Sequence, residues 1–172
     1  MGHGLEITIR EYQECDVVPC RNLWGELTQR HRDIYSDPSI GGDDPSSHFD
    51  RYLLRSDLAG LWVAQDGPAV VGMAGLLLVG REAEIEPVVV RASSRSRGVG
   101  TQLLQRLKME ATTRGADFLS IRPVARNAEA ITCFHRAGFD LLGHVDMFID
   151  LREHSEREWA QGITLHDCRF RF

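Results

Sequence analysis

The sequence of 172 residues has few cysteines, and they are not arranged for a metal centre or a disulfide framework. Cys15, Cys20, Cys133 and Cys168 form no C-x-x-C pair, which favours free thiols in a reducing cytoplasm. The histidines form no H-E-x-x-H or comparable ligand motif. We therefore expect no metal ion in the functional site.

Long apolar runs and an excess of positive charge are also missing. The longest candidate, residues 69–79, is interrupted by glycine and is shorter than the roughly 18 residues that a membrane span needs. The chain has 20 basic and 25 acidic side chains, which argues against a nucleic-acid partner bound through a broad basic surface. With 42% hydrophobic and 26% charged residues, the composition is typical of a single globular domain over residues 1–172.

Hydrophobic periodicity divides the chain into strands and helices. Alternating or continuous apolar runs predict strands over residues 5–10, 61–65, 69–79, 83–90, 118–121, 139–151 and 163–172. Apolar residues at helical spacing predict helices over residues 16–35, 99–114 and 127–137. A further short helix, capped by Ser46 or Ser47, is predicted to continue through Leu54. The loop over residues 36–47 is either a mobile connector or a substrate lid. This order predicts an α/β fold with a mixed, mostly antiparallel central sheet and flanking helices.

The most informative stretch, residues 88–104, runs from a strand through a loop rich in Arg and Ser into an amphipathic helix. Gly98 and Gly100 open that helix, where backbone N–H groups have no helical partner and the helix dipole favours an anion. Arg91, Arg95 and Arg97 add positive charge to an otherwise acidic protein. This arrangement predicts a site for a phosphate or pyrophosphate group.

Two common phosphate-binding motifs do not fit this loop. Leu103 stands where a Rossmann fingerprint needs a third glycine, and Thr101 follows Gly100 where a P-loop has lysine. The run from Arg95 to Gly100 instead resembles the R/Q-x-x-G-x-G/A signature of the GCN5-related N-acetyltransferase (GNAT) family.

A second segment supports the same resemblance. Asn127, Ala130, Phe134, Gly138 and Phe139 resemble that family's N-x-x-A-x-x-x-Y-x-x-x-G-F motif at the same spacing. The order of predicted strands and helices also agrees over residues 5–151. Residues 152–172 then form a C-terminal strand or interface segment.

The resemblance implies acetyl-CoA as the cosubstrate and a splayed, bulged strand that binds it. The pyrophosphate would lie on the amides at the helix start, and the pantetheine arm would pair with the strand backbone like an additional strand. Asn127 would lie near the pantetheine or the diphosphate. The expected cofactor-binding residues are Val88, Val89, Val90, Arg95, Ser96, Arg97, Gly98, Val99, Gly100, Thr101, Asn127 and Phe134.

Direct attack of an amine on a thioester needs a base that accepts the amine proton. Glu84 and Glu86 are two residues apart on a predicted strand, so they share one face. An acidic residue at either equivalent position often serves as the base in the family, and Pro87 fits a local break in pairing. We expect Glu86, or else Glu84, to be the base. The alternative is an exposed polar face at the edge of the sheet.

Phe134 occupies the position of a tyrosine that frequently acts as general acid in the family. A phenyl ring cannot donate a proton, so another group or water donates it, the thiolate leaves unprotonated, or the protein is inactive. The intact glycine motif and the two carboxylates favour an enzyme that acetylates a primary amine of a small molecule or peptide. The alternative is a non-catalytic acyl-CoA-binding regulatory module without the acid–base groups.

The C-terminal residues alternate between arginine and phenylalanine from Arg169 to Phe172. On a strand, Phe170 and Phe172 point the same way, and exposed aromatic rings at a sheet edge favour pairing with another chain. We therefore expect a homodimer through the C-terminal strands. The alternative is that both rings fold back into the protein's own core.

Overall fold

The computed structural model describes residues 7–151 and 159–172. Its strands are β1 (Ile7–Glu11), β2 (Leu58–Asp66), β3 (Ala69–Val79), β4 (Glu82–Val90), β5 (Phe118–Ile121), β6 (Gln161–Leu165) and β7 (Cys168–Arg171). Its α-helices are α1 (Val17–Tyr35), α2 (Ser47–Leu53), α3 (Val99–Thr113) and α4 (Ala128–Arg136). The predicted start of the first strand at Leu5 and the predicted segment over residues 152–158 lie outside the described residues.

The first five strands form one sheet in chain order, β1-β2-β3-β4-β5. Neighbouring strands are antiparallel from β1 to β4, whereas β4 and β5 are parallel. A parallel pair needs a long crossover connection, and α3 supplies it between β4 and β5. The predicted mixed, mostly antiparallel sheet with flanking helices is confirmed.

Each face of the sheet carries its own apolar cluster. On the face covered by α3, which we call the α3 face, the helix buries every position predicted from its periodicity: Val99, Leu103, Leu104, Leu107 and Ala111. On the opposite face, which we call the α1 face, α1 and α2 contribute Cys20, Leu23, Phe49 and Tyr52. Burial raises the pKa of the Cys20 thiol to about 12, so this cysteine serves packing rather than nucleophilic chemistry.

β4 has one more residue than β3 in the stretch opposite Gly75. Ala74 pairs with Val88 and Leu76 pairs with Ile85, so Glu86 and Pro87 together oppose Gly75. A bulge of this kind shifts the alternation of side chains along the strand by one residue.

The shift is visible in the two apolar clusters. Ile85 belongs to the α3 face, and beyond the bulge it is Val88 and Val90 that pack there, while Val89 belongs to the α1 face. Glu84 alternates with Ile85 and pairs with Leu77, a member of the α1-face cluster, so it lies on the α1 face. The side-chain alternation of a regular strand therefore ends at Glu86.

The predicted strand over residues 139–151 is wrong, because this segment has no strand structure. Its large apolar side chains are mostly exposed, namely Leu141, Leu142, Val145, Met147, Phe148, Ile149 and Leu151. Apolar residues predict which face of a strand is buried, but a strand also needs a neighbouring edge to bond its amides. Within the described residues, no strand pairs with this segment.

The single predicted strand over residues 163–172 is also wrong. Two antiparallel strands, β6 and β7, pair here around a turn at His166 and Asp167, with φ angles of 49° and 63°. Positive φ at both central residues is typical of a two-residue hairpin turn, but the usual Asn-Gly or Asp-Gly signal is missing. Phe170 and Phe172 are half-buried in this region.

Candidate functional site

The start of α3 has the geometry expected of an anion site. Gly98 adopts a left-handed φ of 78° as the N-cap, and the first helical bond runs from Gln102 N–H to the Gly98 carbonyl at 3.0 Å. The amides of Val99, Gly100 and Thr101 precede that bond, so the helix offers them no carbonyl partner. A Cβ built on Gly100 would meet only the Val90 side chain, at 3.9 Å, which leaves space beside these amides.

The loop before α3 is attached to the end of β4. Arg95 donates from Nε to the Val90 carbonyl at 3.2 Å, and Ser94 is buried within a short 3-10 turn, Ala92–Ser94. Ser96 adopts a positive φ of 60°, which turns the chain towards Gly98. The loop conformation thus places the glycines directly beside the strand that was predicted to bind the pantetheine.

The predicted positive charges have partners within the protein. Arg97 forms an ion pair with Asp66 at 2.7 Å, and Arg91 lies 3.7 Å from Glu26 on α1. These carboxylates compete with any phosphate for the two guanidinium groups. The amides at the start of α3, which have no helical carbonyl partner, are therefore better placed than these guanidinium groups to donate to an anion.

β4 changes from two strand partners to one at the bulge. Its pairing with β5 ends at Ile85 opposite Ile121, whereas its pairing with β3 continues to Val90. Within the described strands, the edge of β4 that faces β5 is consequently unpaired from Glu86 to Val90. An extended chain with amide groups could pair with this edge, and it would run towards the start of α3.

Of the two predicted carboxylates on β4, Glu84 lies before that free edge and Glu86 is its first residue. Glu86 is 3.4 Å from Arg55, which follows α2, and its side chain is 47% exposed. Glu84 is 3.1 Å from Arg122, which follows β5, and its side chain is only 19% exposed. Glu86 is thus the more accessible of the two to an acceptor from solution.

Asn127 and Phe134 both have structural contacts in α4. The Asn127 side chain caps the helix by accepting from the Ala130 N–H at 3.1 Å. Phe134 packs edge-to-face with Phe139 at 6.4 Å and lies against the α3-face cluster. The second motif therefore docks α4 beside the sheet.

The loop over residues 36–47 is bound to α1. Arg32 donates to the Ile40 carbonyl at 2.8 Å and to the Gly42 carbonyl at 2.6 Å. A Cβ on Gly41 would come within 2.5 Å of Thr28, so the loop approaches the helix closely. These contacts argue against a loose connector, and a lid role stays a prediction.

Sequence reasoning missed three residues around Glu86: Tyr52, Arg55 and Gly75. Tyr52 occupies an apolar position of a predicted helix, which indicates only a core residue, and Arg55 has no feature that distinguishes it from other surface arginines. The one available signal was a glycine in a strand interior, which often marks a bulge or a close approach.

No described helix is both long enough and apolar enough to cross a membrane. Residues 7–151 and 159–172 also contain no group of three or more His, Cys, Asp and Glu side chains that could hold a metal ion.

Comparison with known proteins identifies the family of this chain. The acetyltransferase (GNAT) family model matches residues 24–139, which is more than half of the chain. No curated protein matches the sequence.

Three solved structures illustrate the likeness. A transcriptional regulator from Bacillus halodurans C-125 is 22% identical with a TM-score of 0.63, covering 84% of this chain and 100% of that one. A Trypanosoma brucei acetyltransferase is also 22% identical with a TM-score of 0.63, covering 85% and 100%. Aminoglycoside N-acetyltransferase AAC(6')-Iy in complex with CoA is 18% identical with a TM-score of 0.65, covering 88% and 99%. These structural likenesses support the fold. The family match shows that the chain belongs to the GNAT family and is an N-acetyltransferase.

Proposed function

We propose that this protein transfers the acetyl group of acetyl-CoA to a primary amine by direct attack, with Glu86 as the general base. Acetyl-CoA is the cosubstrate of a GNAT acetyltransferase, and AAC(6')-Iy has been solved with CoA. The observation that carries the proposal is the free edge of β4 from Glu86 to Val90, which leads to the unbonded amides at the start of α3.

The residues present fit this cosubstrate. The pantetheine arm would pair with the backbone of Val88, Val89 and Val90, and the pyrophosphate would accept from amides between Ser96 and Thr101. The space beside Gly100 allows close approach of a ligand to the helix start. Backbone groups therefore provide most of the proposed acetyl-CoA site.

Acetyl-CoA supplies an already activated thioester carbonyl, so holding the amine close to it contributes much of the rate. Glu86 accepts the proton that the attacking nitrogen loses. Glu84 is the second candidate, because it lies on the same strand but is more shielded and closer to an arginine. Phe134 cannot protonate the leaving sulfur. Thiols ionise near pH 8.5 in water, so the sulfur can leave as a thiolate with little assistance.

The test is release of free CoA thiol from acetyl-CoA with a panel containing an aminoglycoside, a polyamine, an amino sugar and peptides with free N-termini. We expect release that depends on one class of amine. Binding of acetyl-CoA without release by any amine would contradict the proposal and favour a non-catalytic acyl-CoA-binding module. The competing acceptor classes are thereby ranked in the same experiment.

We also propose a homodimer in which the C-terminal strands and the exposed apolar segment over residues 139–151 contact a second copy. Leu141, Ile149 and Leu151 are each more than 80% exposed. A contiguous apolar surface of more than a few hundred Å² is unusual on a monomer. Light scattering at tens of micromolar should give twice the chain mass, and Ile149→Asp should reduce it. A monomeric wild type would contradict this assembly.

A cytoplasmic location is the remaining part of the proposal. Cys15, Cys20, Cys133 and Cys168 are all free thiols in the structure, as is usual for proteins of a reducing compartment.

A further inference from the structure

The bulge on β4 is held from the α1 face by a tyrosine on α2. Tyr52 donates its hydroxyl hydrogen to the Glu86 carbonyl, with 2.5 Å between the oxygens. That carbonyl belongs to the residue where the regular β3–β4 pairing is interrupted. The hydrogen bond therefore binds the backbone of the proposed base itself.

The surroundings restrict Tyr52 to this position. The residue is 4% exposed, and its ring packs against Trp24 with 5.3 Å between the ring centroids. Burial raises the pKa of its phenol, so the hydroxyl remains a donor across the working pH range. A Cβ on Gly75 would overlap the Tyr52 hydroxyl, so the glycine on β3 provides the space that the hydroxyl occupies.

The segment that carries Tyr52 also reaches the side chain of Glu86. Arg55 lies three residues later, with its Nη1 3.4 Å from Glu86 Oε2. Arg55 is itself fixed by two hydrogen bonds to Asp57, at 2.9 and 2.8 Å. The same short segment thus contacts both the backbone of Glu86, through Tyr52, and its carboxylate, through Arg55.

We propose that Tyr52 is a positioning residue for acetyl transfer, which fixes the Glu86 carbonyl at the bulge and so orients the Glu86 carboxylate towards the acceptor amine. This inference depends on the proposed role of Glu86 as the base. It assigns no contact between Tyr52 and acetyl-CoA, so it predicts an effect on the chemical step and little effect on cosubstrate binding.

The test begins with Tyr52→Phe, which keeps the ring and removes the hydroxyl. We expect kcat, measured with the fastest amine of the panel, to fall about 10- to 100-fold, because small displacements of catalytic groups have effects of this size. The Kd of acetyl-CoA should stay within about twofold. Tyr12→Phe is the matched control, because Tyr12 packs against the same cluster, with 6.0 Å between its ring centroid and that of Phe49. Removal of the Tyr12 hydroxyl should leave kcat unchanged.

A double-mutant cycle separates positioning from general destabilisation. If Tyr52 acts through Glu86, adding Tyr52→Phe to Glu86→Gln should lower kcat no further than Glu86→Gln alone. Equal effects of Tyr52→Phe in both backgrounds would overturn the inference, as would full activity of Tyr52→Phe while Glu86→Gln is slow. Full activity of Glu86→Gln would instead contradict the proposed base.

Amide hydrogen exchange of the peptide spanning residues 84–90 tests the structural part without turnover. Faster exchange in Tyr52→Phe than in Tyr12→Phe is expected. Identical exchange in the two variants would show that the hydroxyl does not hold the bulge.

Discussion

Arg97 and Asp66 form an ion pair, with 2.7 Å between Nη1 and Oδ2, that joins the glycine loop to the end of β2. The Asp66 side chain is 15% exposed, and its other oxygen is buried without a hydrogen-bond partner in the described part of the chain. Arg97 therefore provides the main compensation for a largely buried charge, close to where a pyrophosphate would lie.

Arg97→Ala should lower the free energy of unfolding by about 1–3 kcal/mol, because it leaves the Asp66 carboxylate without its partner. Adding Asp66→Asn should recover part of this loss, because the unpaired charge is then absent. Urea denaturation of both variants measures the difference. A double variant no more stable than Arg97→Ala would show that the unpaired Asp66 charge is not what destabilises Arg97→Ala.

Gly100→Asp should raise the Kd of acetyl-CoA about 10-fold or more, because it places a carboxylate beside the amides at the start of α3. Gly100→Ala is the matched control, since its Cβ meets only Val90 at 3.9 Å and adds no charge. At about 100 times its Kd, acetyl-CoA should stabilise the wild type by roughly 2.7 kcal/mol in a thermal-shift titration. Equal shifts in wild type and Gly100→Asp would count against the site.

Glu86→Gln should reduce kcat by about 10²–10⁴-fold, the usual contribution of general acid–base catalysis, with little change in the Kd of acetyl-CoA. Glu84→Gln is the parallel variant and should have the smaller effect. Both are measured by release of CoA thiol between about pH 6 and pH 9. If both single variants and the double variant keep the full rate, the base lies elsewhere.

The sequence predicts the glycine-rich start of α3 better than the surroundings of Glu86, and the reason is physical. The glycine loop depends on local backbone conformation, so contiguous residues from Arg95 to Gly100 are enough to recognise it. Glu84 and Glu86 follow from the two-residue alternation of a strand. The family resemblance and Pro87 predict a bulged β4, but the position of the bulge opposite Gly75 depends on the pairing of β3 with β4, which local periodicity does not encode.

The same distinction explains the errors near the C-terminus. The helices and the first five strands are marked by apolar periodicity and by turns, and they agree with the structure. Residues 139–151 have strand-like composition, but strand structure requires a partner edge elsewhere in the protein or in a second copy. The hairpin of β6 and β7 turns at His166 and Asp167 without the usual turn residues.

Phe134→Tyr should change kcat little, because the sulfur of CoA can leave as a thiolate without a proton donor. A higher kcat with a dependence on pH near the tyrosine pKa of about 10 would instead show that the missing hydroxyl limits the rate. The ring already packs beside Phe139 at 6.4 Å, so a hydroxyl adds little volume to the contact. The pH–rate profile of the variant is compared with that of the wild type. An unchanged kcat would show that the departing thiolate needs no acid at this position.

Stability should decrease at acidic pH through Asp16. Hydrogen bonds from Arg10 hold the pKa of the Asp16 carboxyl below its usual range, although burial opposes this. A lowered pKa in the folded state stabilises the fold above the unfolded pKa, and this contribution is lost as pH falls through the folded value. In melting-temperature measurements from pH 7 to about pH 2, Asp16→Asn should show a smaller acid decline than wild type. Parallel curves would contradict this assignment.

The extra residue on β4 changes which sequence positions face α3. These are the odd-numbered Ala83 and Ile85 before the bulge and the even-numbered Val88 and Val90 after it. Deleting Pro87 would set Glu86 directly opposite Gly75 and restore the regular register. Val88 would still pair with Ala74, so Val88 and Val90 would remain under α3 and Val89 would remain on the α1 face. Loss of the extra residue should therefore leave the packing of the interior intact, and its effect should be local, on the Glu86 carbonyl and its hydrogen bond from Tyr52.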